Sequence, residues 1–205
     1  HWALDDLLSH DQAVVLKNKK TGEAVVSVRG TDVNSKKRRL NDLIADVGIF
    51  FGIDKYSDRN KRIENIVDQA IQKYGKDNIR LTGHSLGGKL AQNAAEKYNL
   101  PAYLYNAGST PVMWKSQIIK SLYCKISKNC GDDKILHFNT NNPLEGNIDP
   151  VSISQTVLGN LTNVYVKPKN NLNAHTLHNF IDTPIEGQNQ NQNQIAEEQK
   201  EANSV

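Results

Sequence analysis

The stretch "IRLTGHSLGGKLAQNAAEKY" (residues 79–98) joins two apolar segments through a glycine-rich turn. Its first residues are apolar enough for a buried strand, and from Leu86 onward apolar residues recur at helical spacing. Gly83 and Gly87 flank Ser85, and glycines allow the close backbone approach that a sharp strand-to-helix turn requires. The stretch therefore predicts a strand–turn–helix unit with Ser85 in the turn.

Strands and helices also alternate on both sides of this unit. Residues 12–30, "QAVVLKNKKTGEAVVSVRG", predict a hairpin, and an apolar stripe over 59–75 predicts a helix. Further strands are predicted at 101–108, 134–139 and 163–168. Strands that alternate with helices favour βαβ units, so the sequence predicts an α/β fold with a mostly parallel central sheet flanked by helices.

The composition indicates one globular domain followed by a tail. The chain has 205 residues, of which 38% are hydrophobic and 23% charged. We expect residues 1–183 to fold, and residues 184–205, rich in Gln, Asn and Glu, to be disordered because they bury too little apolar surface. The chain opens on His1 rather than Met, so we expect the N-terminal part to be incomplete. Localisation stays open among secreted, virion-associated and intracellular.

The charge pattern bears on possible partners. The densest basic run, "KKRR", is either a solvated loop or a surface that attracts anionic headgroups. It consists of Lys36, Lys37, Arg38 and Arg39. Without interleaved aromatic residues it does not favour nucleic-acid binding. No apolar run is long enough for a transmembrane segment, and the oligomeric state is not predicted. Cys124 and Cys130 are either two ordinary thiols or a small-loop disulfide, and no histidine lies at metal-ligand spacing from them. We expect neither a metal nor a cofactor.

A serine in such a turn is a candidate nucleophile, and the helix that follows favours an anion forming beside it. Serine is a poor nucleophile at neutral pH and needs a base. His175 and His178 both follow the last predicted strand, and either fits on chain order alone. His84 is expected to point away from Ser85, and His137 is expected to pack inside its strand.

An acid and an oxyanion hole complete the candidate site. Asp149 follows the 134–139 strand, and Glu145 is the alternative acid. Asp149 also fits an Asx turn before Pro150, which would give it a purely structural role. The order serine, aspartate, histidine is that of the α/β-hydrolases. One oxyanion donor is expected from the N–H of Leu86, and the other from Thr31 at the end of an earlier strand.

Four segments carry a family resemblance. They are "VVSVRGTD" (25–32), "NDLIAD" (41–46), "TGHSLGGKLA" (82–91) and "DPVS" (149–152). With them the chain resembles the fungal-lipase-like, or class 3, lipases over residues 12–181. The segment "HTLHNF" (175–180) is similar to the close of short lipase-like hydrolases of viruses and microbes, in which the first histidine is catalytic.

The resemblance implies a compact α/β-hydrolase that cleaves carboxylic esters of lipids, acylglycerols or phospholipids, through an acyl-enzyme intermediate. It implies Ser85, Asp149 and His175 as catalytic residues, with Thr31 adding its hydroxyl to the oxyanion hole. The tryptophan usual in the second segment is replaced by Asp42, and the sequence of residues 32–39, "DVNSKKRR", lacks the pattern expected of an amphipathic lid. Interfacial activation is therefore not expected.

Two other functions remain open at this stage. One is a catalytically inactive lipase-fold module that binds lipid or serves a structural role, and the other is an esterase or thioesterase for soluble substrates. The same nucleophile turn and catalytic residues occur in lipases, esterases, thioesterases and peptidases, so the fold alone does not choose the substrate.

Overall fold

The computed structural model describes residues 1–30, 53–108, 132–142, 149, 151–152, 161–168 and 175–181. These residues contain the strands β1 (Trp2–Leu4), β2 (Ala13–Asn18), β3 (Ala24–Val28), β4 (Ile79–His84), β5 (Ala102–Tyr105), β6 (Asp132–Asn139) and β7 (Leu161–Tyr165). They also contain the helices α1 (Ile53–Tyr74) and α2 (Leu86–Tyr98) and short 3₁₀ helices at Lys76–Asn78 and Leu177–Phe180.

The seven strands form one sheet in the order of the chain. β1, β2 and β3 pair antiparallel, which confirms the predicted hairpin, and β3 to β7 pair parallel. The α/β fold with a mostly parallel central sheet is confirmed. β1 was not predicted, because three residues are too few to show an alternating pattern.

One face of the sheet is apolar across β3, β4 and β5 and carries the helices. The strand register places every second residue of β3, β4 and β5 on this face. Its buried members are Ala24, Val26, Val28, Ile79, Leu81, Ala102 and Leu104. α2 packs on β4 and β5, and α1 packs against α2 and β3. The predicted apolar stripe of α1 packs on the core, with Ile71 and Tyr74 only half-buried, although the helix begins at Ile53 rather than at residue 59.

Two glycines bring the start of α2 into direct contact with the strand ends. A Cβ atom on Gly87 would lie 2.3 Å from the carbonyl oxygen of Val28, and one on Gly83 would lie 2.3 Å from the carbonyl oxygen of Gly87. Both distances are far below van der Waals contact, so no other residue fits without a backbone shift. The glycines around Ser85 therefore set the depth at which α2 meets the sheet.

Several features predicted from the sequence lie outside the described residues. They are Thr31, the basic run 36–39, Glu145, the two cysteines and the tail 184–205. Within the part of the chain that is described, no helix has the length and apolar character needed to cross a membrane.

Candidate active site

Ser85 occupies the turn between β4 and α2 in a strained backbone conformation. Its φ of 56° and ψ of −124° are unusual for a residue with a side chain, and such a conformation costs on the order of 1–3 kcal/mol. Three hydrogen bonds hold it. The Ser85 N–H donates to the carbonyl of Tyr105 at 3.1 Å, and the Ser85 carbonyl accepts from the N–H groups of Gly108 at 2.9 Å and Lys89 at 3.2 Å.

His175 lies between Ser85 and Asp149. Its Nε2 is 2.7 Å from Ser85 Oγ, and its Nδ1 is 2.7 Å from Asp149 Oδ2. An ionised carboxylate only accepts hydrogen bonds, so Nδ1 carries the proton and Nε2 is left to accept from the serine hydroxyl. All three side chains are buried. Residues far apart in the sequence thus form one hydrogen-bonded chain.

The segment that carries His175 is fixed on the sheet by aromatic packing. It continues into the 3₁₀ turn Leu177–Phe180, and the Phe180 ring meets the Tyr105 ring edge-on, with centroids 5.2 Å apart. Edge-to-face packing is a favoured arrangement of aromatic rings. Tyr105 ends the strand next to β4. His175 is therefore held beside the serine turn by the neighbouring strand.

His84 supports the same segment, a role that the expectation of a side chain pointing away from Ser85 did not include. Its Nε2 lies 2.6 Å from the carbonyl oxygen of His175, and the two rings are 4.9 Å apart. Burial, and next the nearby His175, lower the pKa of His84 to about 4. His84 is therefore neutral at pH 7, and its Nε2 carries the proton that the carbonyl accepts.

Asp149 is completely buried and receives donors on both carboxylate oxygens. Oδ1 accepts from the Val151 N–H at 3.0 Å, and Oδ2 accepts from Ser152 Oγ at 2.6 Å as well as from His175. Burial works to raise the pKa of Asp149, but His175, Ser152 and the Val151 N–H outweigh it and lower the pKa below its ordinary value. The carboxylate is therefore charged at neutral pH.

His137 is packed, as the sequence predicted. It is fully buried, with Nδ1 2.9 Å from Asn163 Oδ1 and Nε2 accepting from the Ala107 N–H at 3.0 Å. Burial lowers its pKa to about 4, so it is neutral at pH 7. Because Ala107 precedes Gly108, which binds the Ser85 carbonyl, His137 belongs to the support of the serine turn.

The remaining predicted site residues either lie outside the hydrogen-bonded Ser85–His175–Asp149 arrangement or belong to the part of the protein that is not described. Leu86 is buried directly after Ser85 and begins α2, where first-turn N–H groups have no partner within the helix. Thr31 lies outside the described residues, but Gly30 is in place: a Cβ on it would lie 2.8 Å from the His84 carbonyl oxygen. His178 is exposed.

The sequence reasoning did not assign roles to Ser152 or Asn141, both of which contact Asp149. The signal for Ser152 was its place in the "DPVS" motif. Asn141 gave no signal, since it is one of several asparagines in its loop. Among the described side chains, no group of three or more histidines, cysteines or acids converges where a metal ion would bind.

The fold and the site define an α/β-hydrolase-like protein, with a serine in a strand–turn–helix unit and a histidine–aspartate pair beside it. The chain belongs to the family of Tle-like phospholipase domains, whose family model matches residues 2–112. The lipase-like recognition made from the sequence is thus confirmed at the level of family and fold.

The protein was also compared with solved structures and with curated proteins. The crystal structure of a lipase from Rhizopus microsporus var. chinensis is similar, with 19% sequence identity and a TM-score of 0.39. The similarity covers 68% of this chain and 54% of the lipase, so the chain spans about half the length of that protein. A search of curated proteins finds no significant match.

Proposed function

We propose that this protein is a serine hydrolase that cleaves carboxylic ester bonds of phospholipids through an acyl-enzyme intermediate. The observation that carries the proposal is the buried hydrogen-bonded chain from Ser85 through His175 to Asp149, with both distances at 2.7 Å. This is the arrangement of nucleophile, base and orienting acid that nucleophilic catalysis requires. The family's description as a phospholipase domain supports the substrate class.

In the first step, Ser85 Oγ attacks the ester carbonyl carbon while its proton moves to Nε2 of His175. The resulting imidazolium is stabilised by the charge of Asp149. The N–H of Leu86, and Thr31 as second donor, would bind the oxyanion; such a donor contributes about 2.7–4 kcal/mol to transition-state stabilisation.

In the second step, the tetrahedral intermediate collapses and the bond to the glycerol oxygen breaks. His175 gives its proton to that oxygen, so the alcohol product leaves and the acyl group stays on Ser85. His175 then takes a proton from water, whose oxygen attacks the acyl carbon to form a second tetrahedral intermediate. When this collapses, the bond between the acyl carbon and Ser85 Oγ breaks, His175 returns the proton to Oγ, and the fatty acid leaves.

The substrate class is tested by the products formed from three substrates. We expect vesicles of phosphatidylethanolamine and phosphatidylglycerol to yield free fatty acid and lysophospholipid by mass spectrometry, faster than a triacylglycerol emulsion yields fatty acid. The Ser85→Ala variant, which keeps the fold but lacks the nucleophile, should yield neither. Diacylglycerol as the product would contradict carboxylic ester cleavage, and turnover of p-nitrophenyl butyrate alone would replace the phospholipid proposal with a soluble-ester esterase.

The basic run Lys36–Arg39 is proposed to draw the protein to anionic vesicles, since each basic residue near such a surface is worth about 1 kcal/mol. The same assay with phosphatidylglycerol omitted tests this, because hydrolysis of phosphatidylethanolamine should then fall. An unchanged rate of phosphatidylethanolamine hydrolysis would show that the basic run does not draw the protein to anionic vesicles.

A further inference from the structure

A serine hydroxyl lies against the carboxylate at the far end of the hydrogen-bonded chain. Ser152 is completely buried, and its Oγ is 2.6 Å from Asp149 Oδ2, the oxygen that is also 2.7 Å from Nδ1 of His175. One carboxylate oxygen is thus shared by two donors, only one of which takes part in the proposed proton transfer.

The direction of the Ser152 hydroxyl follows from Asn141. The side-chain oxygen of Asn141 accepts the backbone N–H of Asp149 at 2.7 Å, which leaves its NH₂ group to donate to Ser152 Oγ at 3.0 Å. The hydroxyl proton must then go to another acceptor. Asp149 Oδ2 at 2.6 Å is charged and much closer than Asn106 Oδ1 at 3.5 Å, so the hydroxyl donates to Asp149.

This second donor has two physical effects on Asp149. It fixes the carboxylate in the rotamer that faces His175, because each oxygen is now bound from a defined side. The Ser152 hydroxyl also draws negative charge toward itself. Oδ2 therefore holds the Nδ1 proton of His175 less strongly than it would if His175 were its sole donor.

We propose that Ser152 is a positioning residue of the hydrolase site, which orients Asp149 and moderates its pull on His175. The inference rests on the proposed function, since it concerns the same three residues. It assigns to the Asp149–Ser152 contact a role in setting the pH range of activity as well as in stability.

The first test is the pH profile of kcat/KM for a soluble p-nitrophenyl ester. In Ser152→Ala, Asp149 should hold the His175 proton more tightly. The acidic limb of the pH profile should therefore move to higher pH by about 0.5–1 unit, because the shift reflects only part of the free energy of a hydrogen bond to a charged group. We expect kcat to fall about tenfold with little change in KM, because the lost interaction acts on the reacting groups.

Thr140→Val is the matched control. Thr140 is equally buried, and its hydroxyl lies 3.3–3.4 Å from the side chain of Asn106, which is not one of the three reacting residues. This nearly isosteric change should lower the melting temperature and leave the acidic limb in place. Should Ser152→Ala not fold, Ser152→Cys fills the site with a weak donor and should shift the limb in the same direction by less. If the folded Ser152 variant has the same acidic limb in its pH profile as the wild-type protein, the proposal is overturned.

A second test needs no turnover and so separates this inference from the proposed function. In the Ser85→Ala background, the low-field proton NMR signal of His175 Nδ1–H should move further downfield when Ser152 is also changed to alanine, since Asp149 becomes the stronger acceptor. An unmoved signal would reject the role of Ser152, whatever the substrate of the protein is. Absence of hydrolysis by wild type would instead reject the proposed function.

Discussion

Replacing Ser85 or His175 with alanine is expected to lower kcat/KM for ester hydrolysis by about 10⁶-fold, and replacing both should cost no more than either alone. The 2.7 Å contact between Ser85 Oγ and His175 Nε2 makes the two side chains one unit. Without the base, the hydroxyl keeps its proton, and without the hydroxyl, the base has no nucleophile to activate. Steady-state kinetics on a soluble ester, with all three variants at equal folded concentration, measures this.

His178→Ala is the matched control for the histidine. His178 lies three residues after His175 in the same segment and is exposed, so we expect the kcat/KM of this variant to be close to that of the wild-type protein. If His178→Ala abolished hydrolysis and His175→Ala did not, the base would be His178. If the losses at Ser85 and His175 multiplied in the double variant, the two residues would not act as a unit.

Asp149→Asn is expected to reduce kcat by about 10⁴-fold while the fold is retained. The Val151 N–H holds Oδ1 at 3.0 Å, so the new amide would keep its oxygen there and turn its NH₂ group toward His175. Nδ1 of His175 must then accept, the proton shifts to Nε2, and Nε2 no longer accepts from Ser85. Single-turnover kinetics, with circular dichroism to verify folding, measures the loss. A reduction of less than about tenfold would show that Asp149 has only a structural role.

The serine turn could be predicted because its determinants are local. A strand, two glycines and a helix within residues 79–98 specify the turn, and the observed close approaches at Gly83 and Gly87 are the physical reason for the pattern. The parallel pairing of most strands could be predicted in the same way, since helical connections favour parallel neighbours.

The acid and the base could be predicted only as candidates. Chain order placed His175 and His178 equally near the end of the sheet, and the choice between them came from family resemblance. In the structure, His175 contacts Ser85 while Phe180 of the same segment packs on Tyr105, and contacts between such distant residues leave no periodic pattern in the sequence.

The contacts of the supporting residues could not be predicted, although Ser152 lies in the "DPVS" motif. Asn141 contacts Asp149 from eight residues earlier in the chain and Ser152 contacts it from three residues later, and neither differs in type from ordinary loop residues. His84 was expected to point away from Ser85, but its actual partner, the carbonyl of His175 ninety-one residues later, could not be predicted. Only the folded arrangement shows these contacts.

Reaction with a fluorophosphonate probe tests the central claim most directly, because the probe bonds covalently to a serine only where a base activates it. We expect intact-mass analysis of the folded wild type to show one adduct, peptide mapping to place it on Ser85, and His175→Ala to remain unlabelled under the same conditions. Folded wild-type protein that takes up no probe, or takes it up at a serine other than Ser85, would contradict the account.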